Sequence, residues 1–573
     1  MQCSQTNESK PYKLKKNQKM KKKNKSISKL AALTAMVISA FAPVYAQTNL
    51  GADCGCPAVA SRTSVLVSTL VTNGGAADGE LIATNTIFDC SKNWILDKKI
   101  YVPSGKTLTI LPGTVIKGNT GTAANATALV VEVGGKIFAD GSASCPIVFT
   151  AAADNLDGTF PISSNGQWGG ICIAGKASNN LTLAANGPFQ AGVGDGKICV
   201  ADGIGTFEGF ASSNSKDQFG VTPAQFDDND NSGILRYVSI RYAGAILQVG
   251  GELNALSLGS VGRGTIIEHI DVISCADDNI EVWGGTVNLK YLSFMFGNDD
   301  LLDYDDGWRG KAQFIFGIKS DVTANVDSDN GIEMDGDDQK SNLTPRSHPV
   351  IYNATFIGNS KTTLTSDNSG LAGLEAKELT EGEIYNSIFA NYRYGFNVIK
   401  ALGTRTGTSE AYHNWAAVGG NGSTSLIVKN NTFVGCTNDI SVNKNGGAAA
   451  VLPSDSVQFF TTDGNVHATS IPGFTYLWAM NPSTNVVSAP YDAVPSPALA
   501  SSITAPADGF FTPVNYRGAF APGVKSWMSD YSYAALLGTT AGLVPCPTDI
   551  NGDGITNNVD FLQLVGQFNQ SCH

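Results

Sequence analysis

The sequence predicts an all-β chain that folds mainly as a solenoid of the parallel β-helix type, with a small separate module at its C-terminus. Short runs of β-branched and aromatic residues alternate with clusters of Gly, Asn and Asp over residues 91–450, and sustained helical periodicity is nearly absent there. The chain has 573 residues, 42% of them apolar and 15% charged, with 63 glycines. This composition excludes a disordered, collagen-like or coiled-coil protein.

The first 46 residues predict an export leader. A Lys-rich stretch over residues 10–29 precedes the apolar run 30–42, and Ala46 gives a small residue at the predicted cleavage point, before Gln47. Met20 offers a second possible start inside this segment. The apolar run is too short to span a bilayer, so we expect an exported protein, extracellular or at the cell surface, with no transmembrane span.

The charge balance argues against a nucleic-acid partner. The formal net charge is −12, and the leader carries ten Lys and one Glu, so the remaining chain has a balance of −21. A body this acidic repels phosphate backbones and suits cations or neutral partners.

Cysteine usage agrees with export. Removing the leader discards Cys3 and leaves ten cysteines, an even number that favours disulfides. The pair Cys54 and Cys56 has no second pair at zinc-ribbon spacing and no nearby His, so disulfides are favoured there over zinc. We expect residues 47–90 to form a Cys-containing lead-in or cap. The ten are Cys54, Cys56, Cys90, Cys145, Cys172, Cys199, Cys275, Cys436, Cys546 and Cys572.

Six segments in the middle of the chain share one six-residue pattern. Its first and last positions are apolar, its third position is Asn or a ring residue, and its other positions vary. Their starts are 32, 22, 62, 33 and 44 residues apart, so a basic step near 22 residues with loop insertions predicts stacked coils. Coils stacked about 4.8 Å apart would share one continuous core. We expect coils over 91–450 and a less regular capping segment over 451–540. The segments are Leu235–Ile240, Ile267–Val272, Leu289–Phe294, Ile351–Phe356, Ile384–Phe389 and Val428–Phe433.

The third position of each segment predicts a tight bend. Asn tolerates left-handed backbone geometry, and its amide can bond to the coil above. Rings at the same position predict an aromatic stack, in which a histidine has a structural role. The Asn residues are Asn353, Asn386 and Asn430, and the rings are Tyr237, His269 and Tyr291.

A second column of residues follows the bends, with apolar residues on both sides of an acid. Alternation along a strand directs the apolar neighbours inward and the acid outward. Like charges about 5 Å apart repel unless a cation or basic side chain lies between them. The column therefore predicts an exposed face that binds a ligand or a second metal ion. Its members are Glu281, Asp303, Glu333 and Glu375, continued by Asn397.

Further motifs occur at 108–118 (LTILPGTVIKG), 134–141 (GGKIFADG), 146–150 (PIVFT), 167–170 (QWGG), 303–310 (DYDDGWRG) and 509–520 (GFFTPVNYRGAF). Together they resemble a family of exported bacterial proteins. The resemblance implies a right-handed parallel β-helix at the cell surface and leaves the biochemical role undefined.

Residues 545–573 carry a loop with oxygen donors at the positions of an EF-hand calcium loop and Gly554 at the turn. Asp at the last position and the missing entering helix make it similar to a single dockerin repeat, which implies a sorting or anchoring module. Cys546 and Cys572 flank the loop, and a disulfide between them would restrict the unfolded tail by about 3 kcal/mol. The alternative is an Asp/Asn-Gly turn without metal. The predicted ligands are Asp549, Asn551, Asp553, Ile555 (by its carbonyl), Asn557 and Asp560.

Pectate lyases share the β-helix and hold calcium on outward acids of one strand column. By that analogy Glu281, Asp303 and Glu333 would hold calcium. Arg309 or Lys311 would be the base that removes a proton next to a uronate carboxylate. The Arg-centred pattern of the lyases is not recognisable around Arg309.

Polygalacturonase-type hydrolases give a second analogy, with Asp residues on neighbouring coils as acid and base. The pair Asp277-Asp278 is followed 22 residues later by Asp299-Asp300, so the two pairs are expected to stack. The hydrolase motifs Gly-His-Gly and Arg-Ile-Lys are missing. Asp pairs are also common corner residues that bond to backbone N–H groups.

The sequence therefore predicts a non-catalytic surface protein, structural, adhesive or glycan-binding, with calcium in its tail and a polysaccharide or cell-surface component as partner. The alternative is a calcium-dependent polysaccharide lyase or a glycoside hydrolase of the pectate-lyase-like type.

Overall fold

The structure is a computed structural model. It describes residues 47–72, 78–183, 198–210, 213–248, 251–319, 330–336, 343–359, 372–402, 405–406, 410–415, 425–442, 451–475, 479–481, 485–489, 492–521, 523–529 and 531–537. The predicted leader, the predicted calcium loop and the pair Cys546 and Cys572 lie outside the described residues.

Strands dominate the described chain. They are β1 Thr63–Leu66, β2 Asp78–Glu80, β3 Asn85–Phe88, β4 Lys92–Leu96, β5 Lys99–Val102, β6 Thr107–Ile110, β7 Val115–Gly118, β8 Ala128–Val131, β9 Lys136–Asp140, β10 Ile147–Ala151, β11 Ile171–Ala174, β12 Ile198–Ala201, β13 Ile204–Thr206, β14 Gln218–Gly220, β15 Gly233–Arg241, β16 Ile246–Gln248, β17 Gly251–Glu252, β18 Leu256–Gly259, β19 Ile266–Ile273, β20 Ile280–Trp283, β21 Asn288–Met295, β22 Leu302–Asp305, β23 Lys311–Ile318, β24 Ile332–Met334, β25 Val350–Ile357, β26 Ala372–Ala376, β27 Gly382–Tyr385, β28 Ile388–Ala390, β29 Tyr394–Val398, β30 Ala401–Leu402, β31 Arg405–Thr406, β32 Leu426–Lys429, β33 Thr432–Val434, β34 Asn438–Val442, β35 Val466–Ala468, β36 Ala479–Asn481 and β37 Val486–Ala489.

Helical segments are short. The α-helices are α1 Tyr412–Trp415, α2 Pro453–Ser456 and α3 Tyr533–Leu536, and Val457–Thr462 forms a π-helical turn. The 3-10 turns are Ala52–Cys54, Val59–Ser61, Val67–Leu70, Ala123–Asn125, Ser215–Asp217 and Pro223–Gln225. No described helix is both long enough and apolar enough to cross a bilayer.

Two parallel sheets wind around one apolar core, which confirms the right-handed parallel β-helix. Among the described residues a large sheet has 17 strands and a second sheet has 11, in the order β2-β5-β8-β11-β18-β20-β22-β24-β26-β29-β34. We call the latter the ladder sheet. Neighbouring strands pair in parallel, as in Ile266↔Asn288 and Ile280↔Leu302, both 22 residues apart. The predicted basic step is therefore correct.

The parallel pairing extends beyond the predicted bounds of 91 and 450. At the N-terminal end β1 pairs with β4 and β2 with β5, so coils begin within the segment predicted as a lead-in. At the other end β35 pairs with β33. Short early coils lack the six-residue pattern, which explains why the repeat alone placed the start too late.

Each long strand of the large sheet turns a corner at one left-handed residue, as the third position predicts. The rings stack from Tyr237 to His269 at 4.2 Å and from His269 to Tyr291 at 4.4 Å between centroids. Burial, and then the charges of Arg236 and Lys290, lower the pKa of His269 to about 4, so this ring is neutral. The bend residues, with φ between 51° and 60°, are Tyr237, His269, Tyr291, Phe314, Asn353, Asn386 and Asn430.

The predicted bond from one Asn amide to the next coil forms between two of the three Asn residues, a contact that we call the amide ladder. Asn430 Nδ2 donates to Asn386 Oδ1 at 2.7 Å, whereas Asn353 Nδ2 donates to the carbonyl of Tyr516 at 2.8 Å. The C-terminal segment, by which we mean the described residues between 499 and 537, covers these bends: Tyr531 packs edge-on against Tyr237 at 5.2 Å, and Trp527 lies 5.7 Å from Tyr291. This part of the predicted cap therefore runs along the side of the coils.

The two described disulfides confirm that Cys54 and Cys56 are bridged rather than held by zinc. Cys54 pairs with Cys145, and Cys56 with Cys90. Cys172, Cys275 and Cys436 form no disulfide, so the even count does not translate into a fully bridged chain.

The C-terminal end of the core is closed by one aromatic side chain. Phe459, in the π-helical turn, is fully buried and lies 5.1 Å from Phe433 and 6.1 Å from Phe396 between ring centroids. Its ring therefore covers these two rings at the C-terminal end of the core.

We predict that Phe459→Ala lowers the free energy of unfolding by about 3–5 kcal/mol, because it removes a buried ring and leaves the last coil open. Chemical denaturation measures this loss. Val457→Ala in the same turn is the control: Val457 is 57% exposed, so its change stays within about 0.5 kcal/mol. Equal losses for the two variants would contradict the capping role.

Candidate functional site

The register of the ladder sheet brings the predicted acids into one column. Glu281 pairs with Asp303, Asp303 with Glu333, Glu333 with Glu375, and Glu375 with Asn397. Residues far apart in the chain therefore become neighbours on adjacent strands, about 4.8 Å apart.

The column faces outward, but the expectation that it is exposed is wrong. Ile280 and Val282 on either side of Glu281 belong to the core, so Glu281 lies on the opposite face. Yet Glu281, Asp303 and Glu375 expose only 3%, 6% and 4%, and Glu333 is half-buried.

Segments inserted between the coils pack over part of this outer face and exclude solvent from it. Trp283, two residues after Glu281 on the same face, is buried against Phe207 and Phe219 at 5.6 Å and 5.8 Å between centroids. Alternation decides the side of a strand, but it does not decide whether another part of the chain packs over that side.

Seven acids form three overlapping groups, which we call the acid ladder. In each group the candidate ligand atoms all lie within 4.8 Å of one another. Because the groups share Asp278 and Asp303, they make one continuous series across coils. The groups are Asp277, Asp278 and Asp299; Asp278, Glu281 and Asp303; and Asp303, Glu333 and Asp335.

The corners before β20, β22, β24 and β26 are each held by a side-chain oxygen. The N–H of Asp278 donates to Asn254 Oδ1 at 3.1 Å, and the N–H of Asp300 donates to Asp278 Oδ1 at 2.7 Å. The N–H of Asn330 donates to Asp300, and that of Ala372 to Asn330 Oδ1 at 3.2 Å. The two Asp pairs thus stack on consecutive coils, and their second members have the corner role that such pairs often have.

Neighbouring amides and one lysine already contact several acids. Asn254 Nδ2 donates to Glu281 Oε2 at 2.6 Å. Lys377 Nζ pairs with Glu333 Oε1 at 3.2 Å and with Asp335 Oδ2 at 3.1 Å. The other oxygen of Asp335, Oδ1, is buried and has no hydrogen-bond partner in the described part of the chain.

The pKa values show how unfavourable this crowding is for ionised carboxylates. Burial, helped by the charge of Glu252, raises the pKa of Asp277 to about 7. Burial followed by the charges of neighbouring acids holds the pKa of Asp278 well above its usual range, and burial does the same to the pKa of Asp335 in spite of Lys377.

The donor set fits a hard divalent cation. Calcium takes six to eight oxygen ligands, mostly carboxylates and carbonyls, and its charge would offset the repulsion among the acids. The buried, unpaired Oδ1 of Asp335 is the kind of atom that such an ion would satisfy. Glu375 is in register with the ladder, but it belongs to none of the three groups, and its Oε2 accepts from Asn397 at 2.8 Å.

The structure directs both candidate bases to other partners. Arg309 donates to Ser178 Oγ at 2.7 Å and pairs with Asp228 at 3.3 Å. Lys311 begins β23 of the large sheet and pairs with Asp508 of the C-terminal segment. The left-handed turn at Gly307, with φ 89°, carries the chain away from Asp303 toward the large sheet.

Sequence reasoning missed Asn254, Asp335 and Lys377. Asp335 follows Glu333 by two residues, so alternation alone could have placed it on the same face. Asn254 lies outside the repeat pattern, and only the coil stacking places it beside Glu281.

A family model described as pectate-lyase-like β-helix domain matches residues 79–479, well over half of the chain. The chain belongs to the pectate-lyase-like β-helix family. No curated protein matches it. The family assignment agrees with the coils seen here and fits a surface or carbohydrate-related protein.

We predict that, in a calcium chelator, the protein becomes more stable as the pH falls from about 8 to about 5. The folded-state pKa of Asp277, about 7, lies above its unfolded value, so its folded form binds the proton more readily, and stability falls as pH rises through about 7. Unfolding temperature against pH measures this, and Asp277→Asn should make the profile less steep. Asp53→Asn, at an exposed position, serves as the control. A profile that Asp277→Asn leaves unchanged would contradict the assignment.

Proposed function

We propose that this family member is an extracellular, non-catalytic β-helix protein whose acid ladder binds calcium, and whose loop 549–560 is a second calcium-binding module that anchors it. The observation that carries the first part is the set of three overlapping carboxylate groups, each with its ligand atoms within 4.8 Å. The second part rests on the loop sequence, which lies outside the described residues.

The balance of charge at the acid ladder supports calcium binding. Burying several carboxylates together is costly unless opposite charge accompanies them. Lys377 provides such charge at Glu333 and Asp335. The groups around Asp278 and Asp303 lie further along the column, and a divalent ion there would offset their repulsion.

The low solvent exposure of the acids supports a non-catalytic role. Glu281 and Asp303 expose 3% and 6% of their surface, so a polysaccharide chain cannot contact them directly in this conformation. Arg309 and Lys311, the candidate bases, are held by Asp228 and Asp508. Calcium bound at the ladder would therefore stabilise the coil stack rather than activate a substrate.

The proposed partner is a polysaccharide or another cell-surface component. The family is named for its likeness to pectate lyases, and the chain without its leader carries a strong negative balance. Disulfides at Cys54–Cys145 and Cys56–Cys90 suit an oxidising, extracellular location.

One observation favours hydrolysis as a second candidate. At the corner of the coils Asp277 is half-buried and Asp299 is exposed, and both belong to the first carboxylate group. Two neighbouring carboxyl groups accessible to solvent are the minimum that glycoside hydrolysis requires.

We predict that calcium raises the unfolding temperature, and that Asp303→Asn removes most of the rise because Asp303 belongs to two of the three groups. A hundredfold excess of calcium over its Kd stabilises by about 2.7 kcal/mol. The measurement uses the full chain carrying Asp549→Ala, so that the tail loop contributes nothing.

Asp53→Asn is the matched control, since it removes one carboxylate at an exposed position. A calcium response in Asp303→Asn as large as in this control would contradict binding at the ladder. Glu375→Gln should keep most of the response, because Glu375 lies outside the three groups.

We predict no turnover of uronate polysaccharides with calcium present. Absorbance of new unsaturated ends reports lyase activity, and a reducing-sugar assay reports hydrolysis. Retention on an insoluble glycan without turnover supports the proposal. Turnover that Asp303→Ala abolishes would establish the lyase alternative, and turnover that only Asp277→Asn or Asp299→Asn abolishes would establish the hydrolase.

A further inference from the structure

The residue after the predicted leader cleavage point has two specific contacts. The backbone N–H of Gln47 donates to the carbonyl of Leu156 at 2.6 Å. Its side-chain Oε1 accepts from a guanidinium nitrogen of Arg241 at 2.6 Å. Gln47 is half-buried, so both contacts lie at the edge of the folded body.

Arg241 is a fixed donor rather than a mobile surface side chain. It is 1% exposed, its Nε donates to Ser239 Oγ at 2.9 Å, and its guanidinium lies 4.1 Å from the ring centroid of Tyr533. Ser239 Oγ donates in turn to Asp271 Oδ2 at 2.8 Å, which also accepts from the N–H of Tyr533 at 2.9 Å. The donor that faces Gln47 is thus held by two groups, Ser239 and the ring of Tyr533, and both of these residues are bonded to Asp271.

We propose that the mature chain begins at Gln47 and that this residue cyclises to pyroglutamate. The α-amine attacks the side-chain Cδ, a lactam C–N bond forms, and the side-chain nitrogen leaves as ammonia with the proton that the amine gives up. The step needs no oxidant, reductant or further reactant. It rests on the predicted leader and not on the function proposed above.

The lactam matches the contacts at this position. It keeps one N–H donor and one carbonyl acceptor, which is the pair that Gln47 presents to Leu156 and Arg241. An open N-terminus would instead place an ammonium charge on the same residue that contacts the guanidinium of Arg241. Cyclisation removes that like-charge contact.

Arg241 also favours the reaction itself. In the attack on Cδ, negative charge develops on Oε1, and a fixed, charged donor at 2.6 Å from that atom stabilises it. The carbonyl of Leu156 accepts from the attacking nitrogen and holds it in place. The folded protein therefore promotes closure of its own N-terminus.

The first test is the mass of the N-terminal peptide of the exported protein. We expect a peptide that starts at residue 47, is lighter by one ammonia, and resists Edman degradation until pyroglutamyl aminopeptidase is added. The Gln47→Glu variant should retain an open N-terminus, because a carboxylate is a poor acceptor for the amine. An open Gln47 in the exported wild type, or a start at any other residue, overturns the proposal.

The second test separates the role of the fold from spontaneous chemistry and needs no substitution at Arg241. The protein that begins at Gln47, with its α-amine freshly released, is incubated in two samples, one folded and one unfolded in urea. The rate of ammonia release is measured in both samples. We expect closure in the folded protein to be about a hundredfold faster, which is the usual effect of one fixed donor at a developing oxyanion. Equal rates would overturn the assignment to Arg241.

Discussion

Parallel hydrogen bonding between successive coils is the constraint on which the rest of this molecule depends. It fixes equivalent residues of neighbouring coils about 4.8 Å apart and keeps their side chains on the same face. Leu302 therefore stacks on Ile280 in the core while Asp303 stacks on Glu281 outside it. The register that builds the apolar core thus also builds the column of acids, and neither can shift by one residue without exchanging the two faces.

The outer face of the ladder sheet changes character along the stack. In the early coils it carries Tyr101, Val130 and Cys172, which pack with the rings of the antiparallel insertion β12–β14. From Glu281 to Glu375 it carries a column of carboxylates, which Asn397 and Ser441 continue, and Trp283 beside Glu281 still packs with the rings of the insertion. The apolar part of the face gains stability from burying apolar surface. In the acidic part, burial raises the free-energy cost of keeping like charges close together. The unfavourable electrostatic free energy is therefore confined to a few coils.

The C-terminal segment shows how a stack of coils gains contacts between residues that are distant along the solenoid. Its residues contact bends in at least four coils, from Tyr237 through Tyr291 and Asn353 to Asn386. Polar side chains at the bends thereby obtain hydrogen-bond partners beyond the bond between Asn386 and Asn430. The same segment meets Asp271 and Arg241, so Gln47 is tied to it through one network.

The sequence by itself determined the all-β class, the 22-residue step, the left-handed bends at Asn and ring positions, and the vertical order of Glu281, Asp303, Glu333 and Glu375. These properties are local or periodic, so alternation and spacing specify them. Only the tertiary structure decided that the acids are buried, that Asn254, Asp335 and Lys377 join them, and that Arg309 and Lys311 turn to Asp228 and Asp508. Those outcomes depend on insertions and on a segment some two hundred residues away, whose path no repeat within the coils encodes.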